Sequence, residues 1–295
     1  MKINASLLGL IALCFSCSNS DNSPILNGNF TRSVQLDNQL LEISGILPIG
    51  ESSLIGHNDS GDDPILYQFR LEDGVVEQRF TIDAQHQDWE EIAEDDDFIY
   101  VGDFGNNSGD RQNLRVYKIA KADLVADVEI NAESILFHYP AQDNFSPRDD
   151  HNFDCEAMIA LGDYLYLFSK NRGNRQTDLY RLPKVPGNHS AEWMQSFDSQ
   201  GLVTAASIRK TDQPALALLA YEYDNGGFLP FIWLFSAFPS HDFFAGRSVK
   251  IDIPFQVQAE SITFENSTQL IFAAESESGR SADFIYRLDA SEWLQ

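Results

Sequence analysis

The sequence predicts an all-β chain, folded as a single five-bladed β-propeller. Three observations carry that expectation: a short signature that recurs five times, an aromatic-centred strand at a nearly fixed distance behind each copy, and a spare strand early in the body that can complete the last repeat. Repeats of this length that cannot each bury an apolar face alone point to blades arranged in a ring.

The signature opens each repeat as a polar-to-apolar strand start: Glu42 to Ile46, Asp88 to Ile92, Asp154 to Met158, Thr204 to Ile208 and Gln258 to Ile262. A second apolar strand then runs into a polar loop, as in Leu54 to Asp59, Ile99 to Asp103, Tyr166 to Lys170, Leu218 to Tyr221 and Leu270 to Glu275. The third strand centres on Tyr67, Tyr117, Tyr180, Trp233 or Tyr286, at 23, 27, 24, 27 and 26 residues from Ser44, Glu90, Glu156, Ala206 and Glu260. A fourth strand follows in four copies, Val75 to Ile82, Ser134 to Tyr139, Met194 to Phe197 and Ser248 to Ile253, and the last copy has little room for one. Phe30 to Leu36 alternates suitably and is expected to supply it, which closes the ring and removes its open edges. Six blades would need an unrecognised copy inside the longer second repeat.

The first residues read as processing signals. Lys2 and the apolar run Leu7 to Phe15 suit a secretory signal over residues 1–16, too short to span a bilayer. The run ends in Ser16-Cys17, which resembles a bacterial lipoprotein signal with Cys17 as the lipidated residue; an ordinary cleaved signal is the alternative. Residues 17–28 then form a tether and 29–295 the propeller. Ser18 after the cysteine implies the outer membrane, and the membrane is met through the lipid alone. Cys155 is left without an internal disulfide partner.

The chain of 295 residues carries 45 acidic against 20 basic residues, a formal charge of −25. Such a body repels phosphate backbones, so nucleic acid is excluded as a partner. The expected partner is a small molecule or another envelope component, and the expected state is a monomer.

In a blade of four antiparallel strands, the start of the first strand and the loop after the second lie on the same face. The signatures therefore gather Glu42, Asp88, Glu90, Asp154, Glu156 and Glu260 at one tunnel mouth, joined by Asn58, Asp59, Asp103, Asn106, Asn107 and Glu275. The fourth copy adds no carboxylate. Repulsion within such a set favours a bound counterion, and oxygen donors in a roomy ring suit Ca²⁺. The expected metal ligands are Asp59, Asp88, Glu90, Asp103, Asp154, Glu156 and Glu260. The alternatives are hydrogen bonding to neighbouring blades or a wet acidic channel.

The stretch Glu42 to Asn107 resembles the SdiA-regulated and phytase-like esterase propellers, through Ser44-Gly45-Ile46, His57 to Gly61, Leu66-Tyr67 and Asp88 to Ile92, with Asp154 to Met158 as a second copy of the last motif. That resemblance implies Ca²⁺ and ester or phosphoester substrates. The cations a phosphate would need are few: Lys170, Arg172 and Arg175 in one loop and Arg111 in another. His57, Asn58, Lys170 and Arg172 are the expected ligand-binding residues, and Glu90 and Glu156 the catalytic pair if the protein is a hydrolase. A glycosidase with paired carboxylates is a further alternative. Zinc, GxSxG and P-loop chemistries are absent as motifs. Phe228, Phe231, Trp233, Phe235 and Phe238 read as core, with a partner surface as the alternative, and Pro140 to Phe153 as a long binding loop, with a solvated surface connection as the alternative.

Overall fold

The computed structural model describes residues 25–27, 29–224, 226–276 and 284–294. The signal segment 1–16, Cys17 and most of the tether lie outside them. Within them the chain forms five sheets, antiparallel but for one short parallel edge strand in each of two, and two 3-10 turns, Lys121–Asp123 and Phe243–Ala245.

The first blade runs Ile43–Ile49, Ser53–Asn58, Ile65–Arg70 and Val76–Asp83, from the axis outward. The second has Trp89–Glu94, Phe98–Asp103, Arg115–Ala120 and Glu133–His138. The third has Cys155–Leu161, Tyr164–Ser169, Thr177–Pro183 and Glu192–Phe197, and the fourth Leu202–Arg209, Ala215–Asp224, Gly227–Ser236 and Arg247–Asp252. The fifth supplies only Ala259–Phe264, Gln269–Ala274 and Phe284–Asp289, and the early strand Phe30–Gln35 pairs with the last of these, Phe30 opposite Leu288. The ring is five blades, closed by the N-terminal strand.

Closure is visible in the core. Five apolar clusters sit one between each pair of neighbouring blades, including one between the fifth and the first through Ile271, Ile285, Ile43 and Leu54. Successive residues of a strand point to opposite faces, so each blade feeds two cores at once. Leu54 and Ile55 enter different clusters, as do Leu216 and Ala217. Sheets covered on both faces need near-continuous apolar runs, which explains Leu216-Ala217-Leu218-Leu219. The five third-strand aromatics all face the preceding blade: Tyr67, Tyr117, Tyr180 and Tyr286 lie inside those clusters and Trp233 packs against its own.

Two further segments latch blade to blade. Ile130–Asn131 and Gly187–Ser190 pair in parallel with the outer strands of the first and second blades, capping edges that would otherwise stay open.

Each innermost strand carries a β-bulge at the same height. The extra residues are Ser44, Glu90, Glu156, Thr204 and Glu260. This corrects the alignment of the fourth repeat by two positions, since Thr204 rather than Ala206 is the counterpart of Ser44. That strand starts at Leu202, and its small residues offer no polar mark to set the register.

Candidate functional site

The bulges build the site. A bulge bends its strand and re-aims one side chain, here the same one in every blade. Ser44, Glu90, Glu156, Thr204 and Glu260 form a buried ring around the mouth of the tunnel. The two hydroxyl members satisfy themselves on the following blade: Ser44 Oγ donates to Glu90 O at 2.8 Å and Thr204 Oγ1 to Ala259 O at 2.9 Å.

A second ring lies where each second strand ends. The amides of Asp59, Gly105, Lys170 and Glu275 donate to the carbonyls of Glu42, Asp88, Asp154 and Gln258 at 2.7, 3.3, 2.9 and 2.9 Å, and Tyr221 takes the place in the fourth blade by pairing with Leu202. The rings are chemically lopsided. Carboxylates dominate blades one, two and five, cations come from blade three and, through Arg111, from blade two, and blade four contributes Leu202, Thr204 and Tyr221.

On the acidic side, one carboxylate oxygen from each of Asp59, Asp88 and Glu90 lies within 4.8 Å of the others. Gly105 makes this possible. A Cβ there would fall on the Glu90 and Asp88 carboxylates, 2.6 Å from the Asp88 carboxyl carbon. Glu90 is 4% exposed, yet its carboxylate takes no hydrogen bond or ion pair from the described residues. Burial and then the charge of Glu156 push its carboxyl well above the usual range, and burial with the charge of Asp59 raises Asp88 to about 7. Asp59 is also raised by burial, and Glu275, beside Glu260, to about 10.

The cationic side is internally paired. Lys170 is buried and ion-paired with Glu156; burial opposes its charge, but Glu156 and Glu260 hold it protonated well above the usual lysine range. Arg172 bonds Asp154 at 2.7 Å, lies 3.6 Å from Glu156 and contacts the Asn107 side chain. Arg111 bonds Asp103 at 2.8 Å and Gly105 O at 2.6 Å.

Of the seven expected metal ligands, then, the structure gathers Asp59, Asp88 and Glu90. Asp154 and Glu156 are occupied by Arg172 and Lys170, Glu260 sits by Lys170, and Asp103 is fully buried beneath Arg111. His57 is fully buried, its ring edge-on to Trp89, its Nδ1 2.9 Å from Asn58 O, and its pKa lowered by burial to about 4. Asn58 donates to Gln39 O at 2.8 Å and Asp62 at 2.6 Å, which fixes the loop that carries Asp59. The segment 140–153 is strapped to the second blade. Gln142 Nε2 donates to Gly109 O at 2.8 Å, the Arg148 amide to Ser108 O at 2.9 Å, and His151 Nε2 to Asn107 O at 3.1 Å.

Glu91 escaped the sequence reading. Fully buried, its carboxylate accepts the amides of Ile92 at 3.0 Å and Ala206 at 2.7 Å, with Met158 as a further backbone donor. It crosses the tunnel beneath the acidic ring. Below it the opposite mouth holds an apolar cavity of about 350 Å³ lined by Ile92, Met158, Ala206, Ile208 and Phe264. The doublet Glu90-Glu91 was the available signal, since a second acid directly after the repeated position has no counterpart in the other copies, which read Ser44-Gly45, Glu156-Ala157, Thr204-Ala205 and Glu260-Ser261.

No family model matches the chain, and no curated protein does. Solved structures do. Among them is the PQQ-bound form of an aldose sugar dehydrogenase from Streptomyces coelicolor, 11% identical, with a TM-score of 0.53 over 90% of this chain and 99% of that one. At so low an identity the likeness establishes shared architecture alone. The chain is a five-bladed β-propeller with a carboxylate cluster of metal-binding dimensions at one tunnel mouth.

Proposed function

We propose that the protein is an envelope-anchored propeller whose acidic mouth holds a hard divalent cation, calcium by preference, and there binds a small molecule or an envelope partner. The observation that carries this is Glu90: a carboxylate in a nearly buried residue that takes no hydrogen bond or ion pair from the described residues, facing Asp59 and Asp88 across a space of ionic dimensions. Three anionic oxygens that share one space are stabilised by a cation and destabilised without one. Bound there, the cation would supply positive charge and free coordination positions for a ligand's oxygens. Calcium titration by calorimetry on the full chain, with Asp88→Asn and Glu90→Gln as controls, tests it. Saturable binding that either variant weakens supports the reading, and no heat at millimolar calcium defeats it. Anchoring through Cys17 is part of the proposal, and palmitate incorporation that survives Cys17→Ala would refute it.

A second reading, a calcium-dependent ester or phosphoester hydrolase, draws on the resemblance to esterase-type propellers and on the electrostatic coupling of two buried glutamates. Burial pushes the carboxyls of both Glu156 and Glu90 well above the usual range, and the ion pair with Lys170 favours the ionised form of Glu156 alone, so Glu156 is the better placed of the two for a base and Glu90 for an acid. The two readings make opposite demands on Glu90, ionised as a ligand and protonated as an acid. Turnover of phosphomonoester, carboxyl ester or aryl glycoside substrates that disappears in both Glu90→Gln and Glu156→Gln would favour the enzyme.

A further inference from the structure

The fourth blade differs from the others in its central hairpin. Its second and third strands, Ala215–Asp224 and Gly227–Ser236, are ten residues each, where the second strands of the other blades have six. The other second strands end at the level of the mouth. This hairpin continues past it, from Tyr221 onward. Pairing puts Tyr221 opposite Pro230 and Tyr223 opposite Phe228, so the pleat places all four on one face, with Glu222 and Leu229 on the other. This face is the one turned toward the fifth blade, shared with Ala217 and Leu219, and its Tyr221 end borders the mouth, since the Lys170 ammonium lies 5.1 Å from the Tyr221 ring and Glu156 and Glu260 act on its hydroxyl. The rings form one patch, Tyr221 on Phe228 at 4.9 Å and Tyr223 on Phe228 at 5.3 Å. Tyr221 is nearly buried, Phe228 half-buried, and Tyr223 is 55% exposed.

We propose that this overhanging aromatic face is a stacking platform for a neutral sugar ring whose hydroxyls reach the polar mouth beside it. The inference rests on the reading of that mouth as a ligand site and adds the ligand's chemical class. A polyanion meets a mouth in which carboxylates far outnumber cations. An organic cation, the usual guest of an aromatic cage, meets Lys170 already seated against Tyr221. A purely apolar molecule would desolvate the carboxylates without bonding them. What remains is a neutral molecule with an apolar face for the rings and a polar edge for carboxylates, Arg172 and any bound cation, which describes a pyranose ring.

The experiment uses the full chain in calcium-containing buffer and a panel of neutral pentasaccharides of glucose, xylose, mannose and N-acetylglucosamine, read by calorimetry and tryptophan fluorescence. The expected result is saturable binding of at least one member, weakened about ten-fold or more by Tyr223→Ala and by Phe228→Ala and retained by Tyr223→Phe. For Tyr223→Ala the thermal midpoint and calcium affinity should stay at wild-type values, because Tyr223 is 55% exposed and lies outside both core and cluster. Three results overturn the proposal: no member binds at ~10 mM, binding is indifferent to both alanine variants, or tetramethylammonium binds with the same dependence on Tyr223. The parallel calcium titration separates the two readings. Calcium without sugar defeats the platform alone, and sugar without calcium leaves the platform and removes the cation.

Discussion

Glu91 Oε2 accepts the Ala206 amide at 2.7 Å, joining the second blade to the fourth across 115 residues of chain and across the tunnel itself. Neighbouring blades are held by apolar cores, but this bond links blades that do not touch through one. The carboxylate also takes the Ile92 amide, so it acts as a cross-brace that seals the tunnel below the acidic ring.

Removing the brace strands buried donors. Glu91→Ala should lower stability by about 2–4 kcal/mol, because unpaired buried amides each carry a desolvation penalty. Glu91→Gln keeps one acceptor oxygen and should lose about half as much. Urea unfolding of both variants measures this. A loss below about 1 kcal/mol for alanine would show that the brace is energetically idle.

Gly105→Ala tests whether the cluster depends on the space a glycine leaves. The added methyl falls on the Glu90 and Asp88 carboxylates, which must swing apart. Calcium affinity should drop by about ten-fold or more, with a smaller effect on folding because the displaced groups repel one another. Calorimetry beside thermal melting separates the two effects, and unchanged affinity would show that the metal, if bound, sits elsewhere.

Much of this architecture was legible in the sequence, for reasons that the structure makes plain. The aromatics Tyr67, Tyr117, Tyr180, Trp233 and Tyr286 mark their strands because each fills the same slot against the preceding blade. Phe30 to Leu36 could be placed because a ring with one strand missing has only one supplier near the other terminus. The fourth repeat slipped by two because Thr204-Ala205-Ala206 lacks the acidic pair that sets the register elsewhere. Phe231, Phe235 and Phe238 are core as expected, but Phe228 lies beyond it, since nothing in the composition reveals where a hairpin outruns its sheet. The cluster of Asp59, Asp88 and Glu90 was foreseen only within a larger set. Which acids stay unpaired depends on where Lys170, Arg172 and Arg111 reach, a long-range matter that spacing does not encode.

Acidity should control the mouth in two opposite ways. Asp88 is raised to about 7, and Asp59 and Glu90 are raised as well, so calcium must displace protons. Calcium affinity should therefore climb as pH rises through about 7. For the metal-free protein the sign reverses. A carboxyl whose folded pKa exceeds its unfolded value gives stability that is full at low pH and lost as pH rises through the folded pKa. In chelator the thermal midpoint should fall between about pH 4 and pH 7, the window between the unfolded and folded values of Asp88, and calcium should restore it at the upper end. A midpoint that rises over this range in chelator would contradict the raised carboxyls.

The pair Lys170–Glu156 offers the last test, because it separates a structural ion pair from a group that tunes the cation site. Both members are buried, so Lys170→Met alone leaves an uncompensated carboxylate and should cost about 3 kcal/mol or more. The double variant Lys170→Met with Glu156→Leu removes both charges and should recover most of that loss, since desolvation of the pair offsets much of its attraction. Lys170 also acts electrostatically on Asp59, where it lowers the carboxyl's pKa. Its positive charge competes with any cation held by Asp59, Asp88 and Glu90. The double variant, being net neutral in charge change, should bind calcium much as wild type does, while Lys170→Met should bind it more tightly provided it stays folded. Equal calcium affinity in all three proteins would mean that the cationic and acidic halves of the mouth act independently, and the lopsided ring would then be two sites rather than one.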